Sequence, residues 1–255
     1  MRFGMCVGSD FGKIKLVAES GFDYVESCFS LLAESDCEQF GLFKSELEKY
    51  SLKCETVNCF LPGNLKVTGP QVDYDALREY IEKGMSRGKQ LGLEKVVFGS
   101  SGARNVPAGW SYEEAYRQIV FFLKEIAAPV AEKYNVIIVI EPLRRSDSNI
   151  VNYALEGAAL AAQANSRCIK CLVDYYHMFD AGDNCETVEK LSGAIKHSHI
   201  AEPVTRSFPR PDDGVDYKEF ILALESAGCE TCSVEASTDD FNRDCAPSLK
   251  AIKLK

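Results

Sequence analysis

The chain has 255 residues, 46% hydrophobic and 26% charged, with 29 basic against 38 acidic side chains and a formal net charge of −9. That length suits one large α/β domain of ordinary globular composition, and the acidic excess argues against a partner bound through nucleic-acid phosphates. No apolar run reaches the ~18 residues of a membrane helix, and the opening MRFGMCVGSD has no charged-then-apolar leader, so the expected location is the cytoplasm.

In chain order, short apolar runs predict strands at 3–7, 24–28, 54–60, 95–99, 136–141, 169–175, 195–200 and 231–235. They read as near-continuous apolar segments, as expected of a parallel sheet covered on both faces. Amphipathic periodicity between them predicts helices over 74–91, 112–134, 153–163 and 217–227. Asn165 and Gly228 sit where two of these helices should stop. After the last strand, 246–255 is left for a closing helix, short enough that the barrel is expected to be open there or covered by a neighbouring subunit. Eight strand–helix repeats over 1–255 predict a single (β/α)8 TIM barrel domain. The Rossmann alternative lacks its glycine pattern: Gly8-Ser9-Asp10-Phe11-Gly12 follows the first strand.

Eleven cysteines, an odd number, include two CxxC pairs, Cys168/Cys171 and Cys229/Cys232. Each pair enters a predicted strand, where residues three apart face opposite ways and chelate poorly. Packing as small apolar side chains is therefore favoured over a zinc knuckle.

The chemistry gathers at the C-terminal ends of the last four strands, where a TIM barrel carries its active site. NVIIVIEP ends in Glu141, IKCLVDYYH carries Asp174 and His177, IKHSHIAE carries His197 and His199, and TCSVEAS ends in Glu235. Strand alternation puts Ile137, Val139 and Glu141 on one face, Leu172 with Asp174, His197 with His199, and Thr231 and Ser233 with Glu235. If those faces point inward, Glu141, Asp174, His199 and Glu235 converge at the barrel mouth, while Cys171 and Cys232 face the helices. Three carboxylates in one low-dielectric pocket repel unless a cation joins them. Three oxygen donors and one imidazole call for one divalent ion, Mn²⁺ foremost, with Mg²⁺, Co²⁺ or Zn²⁺ as alternatives. All three histidines of the chain fall near this site.

At these residues the sequence resembles the xylose isomerase-like barrel superfamily and, within it, the ketose 3-epimerases of the tagatose/psicose type. Glu141-Pro142-Leu143-Arg144-Arg145 is similar to that family's EPLNR segment. Asp147 stands at the place of its substrate-binding glutamate, and Asn152 at the place of an asparagine. Asp174-x-x-His177-Met178 resembles DxxHM, and His197-x-His199-x-x-Glu202 resembles HxHxGE. Arg206 is the match to a substrate arginine that follows the metal histidine.

The resemblance implies a metal-dependent sugar isomerase or epimerase acting at a carbon next to a carbonyl. Glu141 and Glu235 would flank that carbon from opposite sides. One would take a proton and the other return one, which gives epimerisation at C3. It further implies that His177 and Asp147 hold the sugar's hydroxyl end, that Arg206 donates to a substrate oxygen, and that the chain forms a homo-oligomer. Glu26 and Asn58, at the ends of strands two and three, are additional candidates for contacts to sugar hydroxyls. Gly99-Ser100-Ser101-Gly102-Ala103-Arg104 is a weaker candidate for binding a phosphate, so the partner is a free sugar or a sugar phosphate. The rival chemistries for such a site are a lyase of the inosose dehydratase kind and a hydroxypyruvate-type isomerase. A non-catalytic sugar-binding barrel fits less well, because four convergent ligands would then have no purpose. An endonuclease IV-like hydrolase needs further histidines on the early strands, which this chain lacks.

Overall fold

The computed structural model describes residues 1–253. Eight parallel strands close into a barrel in sequence order. They are β1 (Arg2–Gly8), β2 (Tyr24–Cys28), β3 (Cys54–Asn58), β4 (Lys95–Phe98), β5 (Ile137–Ile140), β6 (Ile169–Asp174), β7 (Ile195–Ile200) and β8 (Thr231–Val234). The first half of the barrel carries α1 (Ile14–Ser20), α2 (Phe29–Glu34), α3 (Cys37–Lys49), α4 (Tyr74–Gly88), α5 (Ser101–Arg104), α6 (Tyr112–Phe121) and α7 (Ala128–Tyr134). The second half carries α8 (Ala154–Ala164), α9 (Tyr175–Ala181), α10 (Cys185–Lys190), α11 (Tyr217–Ser226) and α12 (Phe241–Ile252). No helix among the described residues is long and apolar enough to cross a membrane.

Alternation along the strands sorts side chains into two cores. Outward-facing residues such as Phe3, Met5, Ile138, Ile140 and Val173 pack against the helices in one large cluster. Inside the barrel, Val97, Val139 and Leu172 form a small separate cluster with Ile137 against it. The expected inward faces of β5 and β6 are therefore the observed ones. Burying each such side chain contributes about 2 kcal/mol, so a one-residue slip of any strand is strongly disfavoured. Polar groups also meet in the interior: the Tyr24 hydroxyl lies 3.0 Å from Ser233 Oγ. Gly4 has no side chain because the Tyr24 ring occupies the space a Cβ would need.

Helix stops follow the residue chemistry. Asn165 ends α8 in the left-handed region at φ 49°, and Gly228 follows α11 at φ 75°. The third strand ends earlier than 54–60, because Cys59 turns into the left-handed region at φ 49°. The closing helix also departs from expectation. It starts at Phe241 rather than Ala246, with the Asp240 side chain accepting from Arg243 N, and it packs on α1 and α11. The barrel is thus sealed by its own chain; residues 254–255 of the expected helix lie outside the described residues. Both CxxC pairs are buried as free thiols, and the Cys171 sulfur packs near Gly157 of α8, on the helix side of the sheet.

Candidate active site

Register sets the level of the site. Asp174 pairs with His199, and His199 pairs with Ser233, so these positions lie side by side across β6, β7 and β8. Glu141 and Glu235 are the first residues beyond β5 and β8, and their N–H groups still donate to Phe98 O and Ile200 O at 3.2 Å. The four candidate ligands Glu141, Asp174, His199 and Glu235 each place a donor atom within 4.8 Å of the others. His199 Nδ1 lies 3.1 Å from Glu141 Oε1, 3.4 Å from Glu235 Oε2 and 4.0 Å from Asp174 Oδ2.

Each ligand is held by its surroundings. Asp174 caps α9: its Oδ1 accepts from Tyr176 N at 2.8 Å and from His177 N at 3.4 Å. Its Oδ2 is buried and has no hydrogen-bond partner, though it lies near His199 Nδ1 and 3.9 Å from His177 Nε2. A buried carboxylate oxygen left so is costly, and a cation satisfies it. The Glu141 carboxylate lies over Gly99, where a Cβ would overlap Oε2. Its backbone is fixed by Arg104, which is fully buried and donates to Phe98 O (2.6 Å) and Glu141 O (2.7 Å). Arg104 therefore cannot serve as a phosphate ligand, and the phosphate role considered for its loop loses its cation. Burial lowers this guanidinium to a pKa of about 10.

Glu235 is gripped at both oxygens: Asn58 Nδ2 donates to Oε1 and Arg206 Nη2 to Oε2, both at 2.7 Å. Burial pushes the Glu235 carboxyl up, but His199 and Arg206 outweigh that and hold it at about 2. Burial and the neighbouring carboxylates raise Asp174 despite His177 and His199. For His199, burial lowers the imidazole pKa, yet Glu26, Glu235 and Glu141 together raise it well above its usual value. The cluster thus draws a positive charge to its centre even if only a proton is available, which is the electrostatic signature of a cation site. The donor set of carboxylate oxygens and one imidazole nitrogen fits a divalent ion.

A cavity of about 360 Å³ opens above this cluster. It is lined by Glu141, Glu235, Asp147, His177, Arg206 and Asn58 together with Cys59, Leu61, Leu143 and the Gly99–Gly102 turn. All the expected substrate residues except Glu26 face this space. Asp147 is bound by Arg144 Nε at 2.9 Å, with His177 Nδ1 at 4.0 Å; burial raises its carboxyl, and Arg144 more than compensates.

Glu26 requires a correction. It is completely buried beneath His199, with Oε1 2.7 Å from His199 Nε2 and Oε2 3.0 Å from His197 Nε2. Strand β2 runs two residues further, to Cys28, so Glu26 lies below the mouth and out of reach of a sugar hydroxyl. A second group of metal-type side chains, Cys6, Glu26 and His199, shares this histidine. Glu26 already engages both imidazoles, so the group forms no independent centre.

Tyr176 carried little signal in the sequence, whereas Glu202 and Asn152 belong to the motif matches and prove to act on the backbone. The Tyr176 ring is flanked by the guanidinium groups of Arg144 (4.7 Å) and Arg206 (5.3 Å), so it orients both cations. Glu202 Oε2 accepts from Val204 N, Thr205 N and Thr205 Oγ1, which folds the loop that presents Arg206 at φ 59°. Asn152 is structural: its Nδ2 ties Leu143 O to Ser148 O.

The family model described as xylose isomerase-like TIM barrel matches residues 14–253. The chain belongs to this family. Among curated protein sequences there is no match. Solved structures with the family's barrel superpose closely. Apo 3-keto-D-glucoside 4-epimerase, YcjR, from E. coli is 18% identical, with TM-score 0.83 over 99% of this chain and 98% of that one. A D-psicose 3-epimerase solved in the presence of D-fructose is 16% identical, with TM-score 0.83 over 99% of each chain. The probable 3-DHS dehydratase AsbF of Bacillus anthracis is 14% identical, with TM-score 0.75 over 98% of each. At such identities the likeness concerns the fold; the chemistry must be argued from the site.

Proposed function

We propose that the protein is a divalent metal-dependent sugar isomerase or epimerase, most specifically a ketose 3-epimerase with Mn²⁺ as its ion. The observation that carries this reading is the convergence of two carboxylates, Glu141 and Glu235, on one cation site and one sugar-sized cavity. Held by Glu141, Asp174, His199 and Glu235, the ion would supply the positive charge that stabilises a sugar carbonyl's oxygen when the neighbouring carbon loses its proton. The protein's own groups do the rest. Glu141 and Glu235 approach from β5 and β8, so one takes the proton from one face and the other returns one to the opposite face. Glu235 is a weak base while Arg206 grips it. A sugar oxygen that attracts the guanidinium frees the carboxylate, so binding and activation are coupled. His177 and Asp147 anchor the far hydroxyls, and Asn58 holds Glu235 in position. The proposal includes a homo-oligomer located in the cytoplasm, the former checked by analytical ultracentrifugation.

The test is chelation, reloading with Mn²⁺, Mg²⁺, Co²⁺ or Zn²⁺, and incubation with free and phosphorylated ketoses in D₂O. Metal-dependent deuterium at C3 is expected by NMR. Deuterium at C1 or C2 would reassign the enzyme as an aldose–ketose isomerase. Metal binding without exchange in any ketose would favour a lyase, a chemistry for which the dehydratase fold relative is a precedent.

A further inference from the structure

Beneath the four ligands runs a buried polar column that the proposed reaction does not use. Thr231 Oγ1 lies 2.9 Å from His197 Nδ1, His197 Nε2 lies 3.0 Å from Glu26 Oε2, and Glu26 Oε1 lies 2.7 Å from His199 Nε2. Glu26, His197 and His199 are completely buried, so every proton in the column must have a protein partner. A carboxylate only accepts. Glu26 can therefore satisfy both imidazoles only if each presents Nε2–H to it. His197 Nδ1 is then an acceptor and takes the hydroxyl proton of Thr231; at His199 the proton on Nε2 is the one held by Glu26, so Nδ1, 3.1 Å from Glu141 Oε1, is the nitrogen whose lone pair an ion would take in place of a proton. That nitrogen is the one facing Glu141, Glu235 and Asp174.

We infer that Glu26 is a positioning residue that keeps the Nε2 proton on His199, so that in the ion-bound protein Nδ1 is the nitrogen presented to the metal, with His197 and Thr231 setting the direction of the column. This rests on the metal reading above and extends it to residues that touch neither ion nor sugar. The arrangement has an asymmetry. His197 can reverse its tautomer, because the Thr231 hydroxyl can turn to Lys196 O, 3.4 Å away, and accept from Nδ1–H instead. His199 cannot reverse without losing its lone pair toward the ion.

The test compares wild type, Glu26→Gln and Glu26→Ala by calorimetric titration with Mn²⁺. Imidazole ¹⁵N NMR of the Zn²⁺-loaded forms, diamagnetic and simplified by only three histidines, reads the tautomers directly. The wild type is expected to show Nε2–H at His197 and His199. Glu26→Gln should turn its amide NH₂ to His197, which then switches to Nδ1–H while His199 stays unchanged and metal affinity is largely retained. Glu26→Ala should lose affinity about 10–100-fold. Should the alanine variant fail to fold, the glutamine variant still decides, because a purely space-filling role predicts no tautomer switch at His197. Nδ1–H at His199 in wild type, or wild-type affinity in Glu26→Ala, overturns the inference and leaves the metal site standing. A wild-type protein that binds none of the ions removes both.

Discussion

Arg206 and Glu235 meet at 2.7 Å on the wall of the cavity. A carboxylate base works only when deprotonated, so activity falls as pH drops through its pKa. Arg206 is one of the cations that hold Glu235 down at about 2. Arg206→Ala should therefore move the acid limb of kcat/KM to higher pH and lower kcat/KM at neutral pH by about 100-fold. An unshifted acid limb would separate Arg206 from proton transfer and leave it only a binding role. At this scale the sequence was most informative where motif spacing reports geometry. In Asp174-x-x-His177 the aspartate caps α9 and the histidine sits one turn on, so the same three-residue step brings both to one site. Glu26 was expected at a strand end, but the predicted strand 24–28 is the observed one and runs two residues past it, so its depth was legible and its two imidazole partners were not. Tyr176 carries no such spacing signal, because a ring between two guanidinium groups needs three segments to be folded first.

Among the elements, α12 shows how local chemistry can hide a helix. Pro247 lies inside it, and the charged stretch before Cys245 reads as loop. What anchors the helix is Asp244, almost fully buried, which accepts from Arg210 Nη2 (2.8 Å), Arg243 Nε (2.9 Å) and Thr238 Oγ1 (2.5 Å). Arg243 above all, then Thr238 and Arg210, hold this carboxyl well below the usual range despite its burial. A depressed carboxyl stabilises the fold above its unfolded pKa of about 4, and that contribution fades as pH falls toward the folded value. Asp244→Asn should cost about 2 kcal/mol at pH 7, lowering Tm by roughly 4–8 °C, and the gap should narrow in melts at pH 3. An equal gap at both pH values would show that charge is not what anchors the helix. The predicted helix over 112–134 is found with those bounds and without a break, but its middle is not α-helical. Pro129 lacks an N–H and crowds the carbonyl four residues back, and the chain widens into a π-turn at Phe122–Ala127. The eight strands, by contrast, were placed within one or two residues, because a doubly covered parallel strand leaves an apolar run between polar loops whatever its neighbours do.

Over the whole molecule, the four candidate ligands divide the barrel. They come from the ends of β5, β6, β7 and β8, while β1 to β4 contribute support such as Glu26, Asn58 and Gly99. A bound ion would therefore tie four consecutive strands at one end, and its removal would leave three carboxylates facing one imidazole across the same 4.8 Å. An ion bound to the native state alone stabilises by about 2.7 kcal/mol when present at a hundred times its Kd. For a domain of this size that corresponds to a rise in Tm of roughly 5–10 °C. Calorimetric melts with chelator and with increasing Mn²⁺ should show Tm climbing with the logarithm of free ion. Amide exchange should slow at the ends of β5–β8 more than at β1–β4, because only the former gain a direct crosslink. Uniform slowing around the barrel would mean that the ion stabilises the fold without the four-strand tie. A Tm indifferent to both chelator and ion would mean that the carboxylate cluster is held by protons and arginines alone, and the metal chemistry proposed for it would have no place to occur.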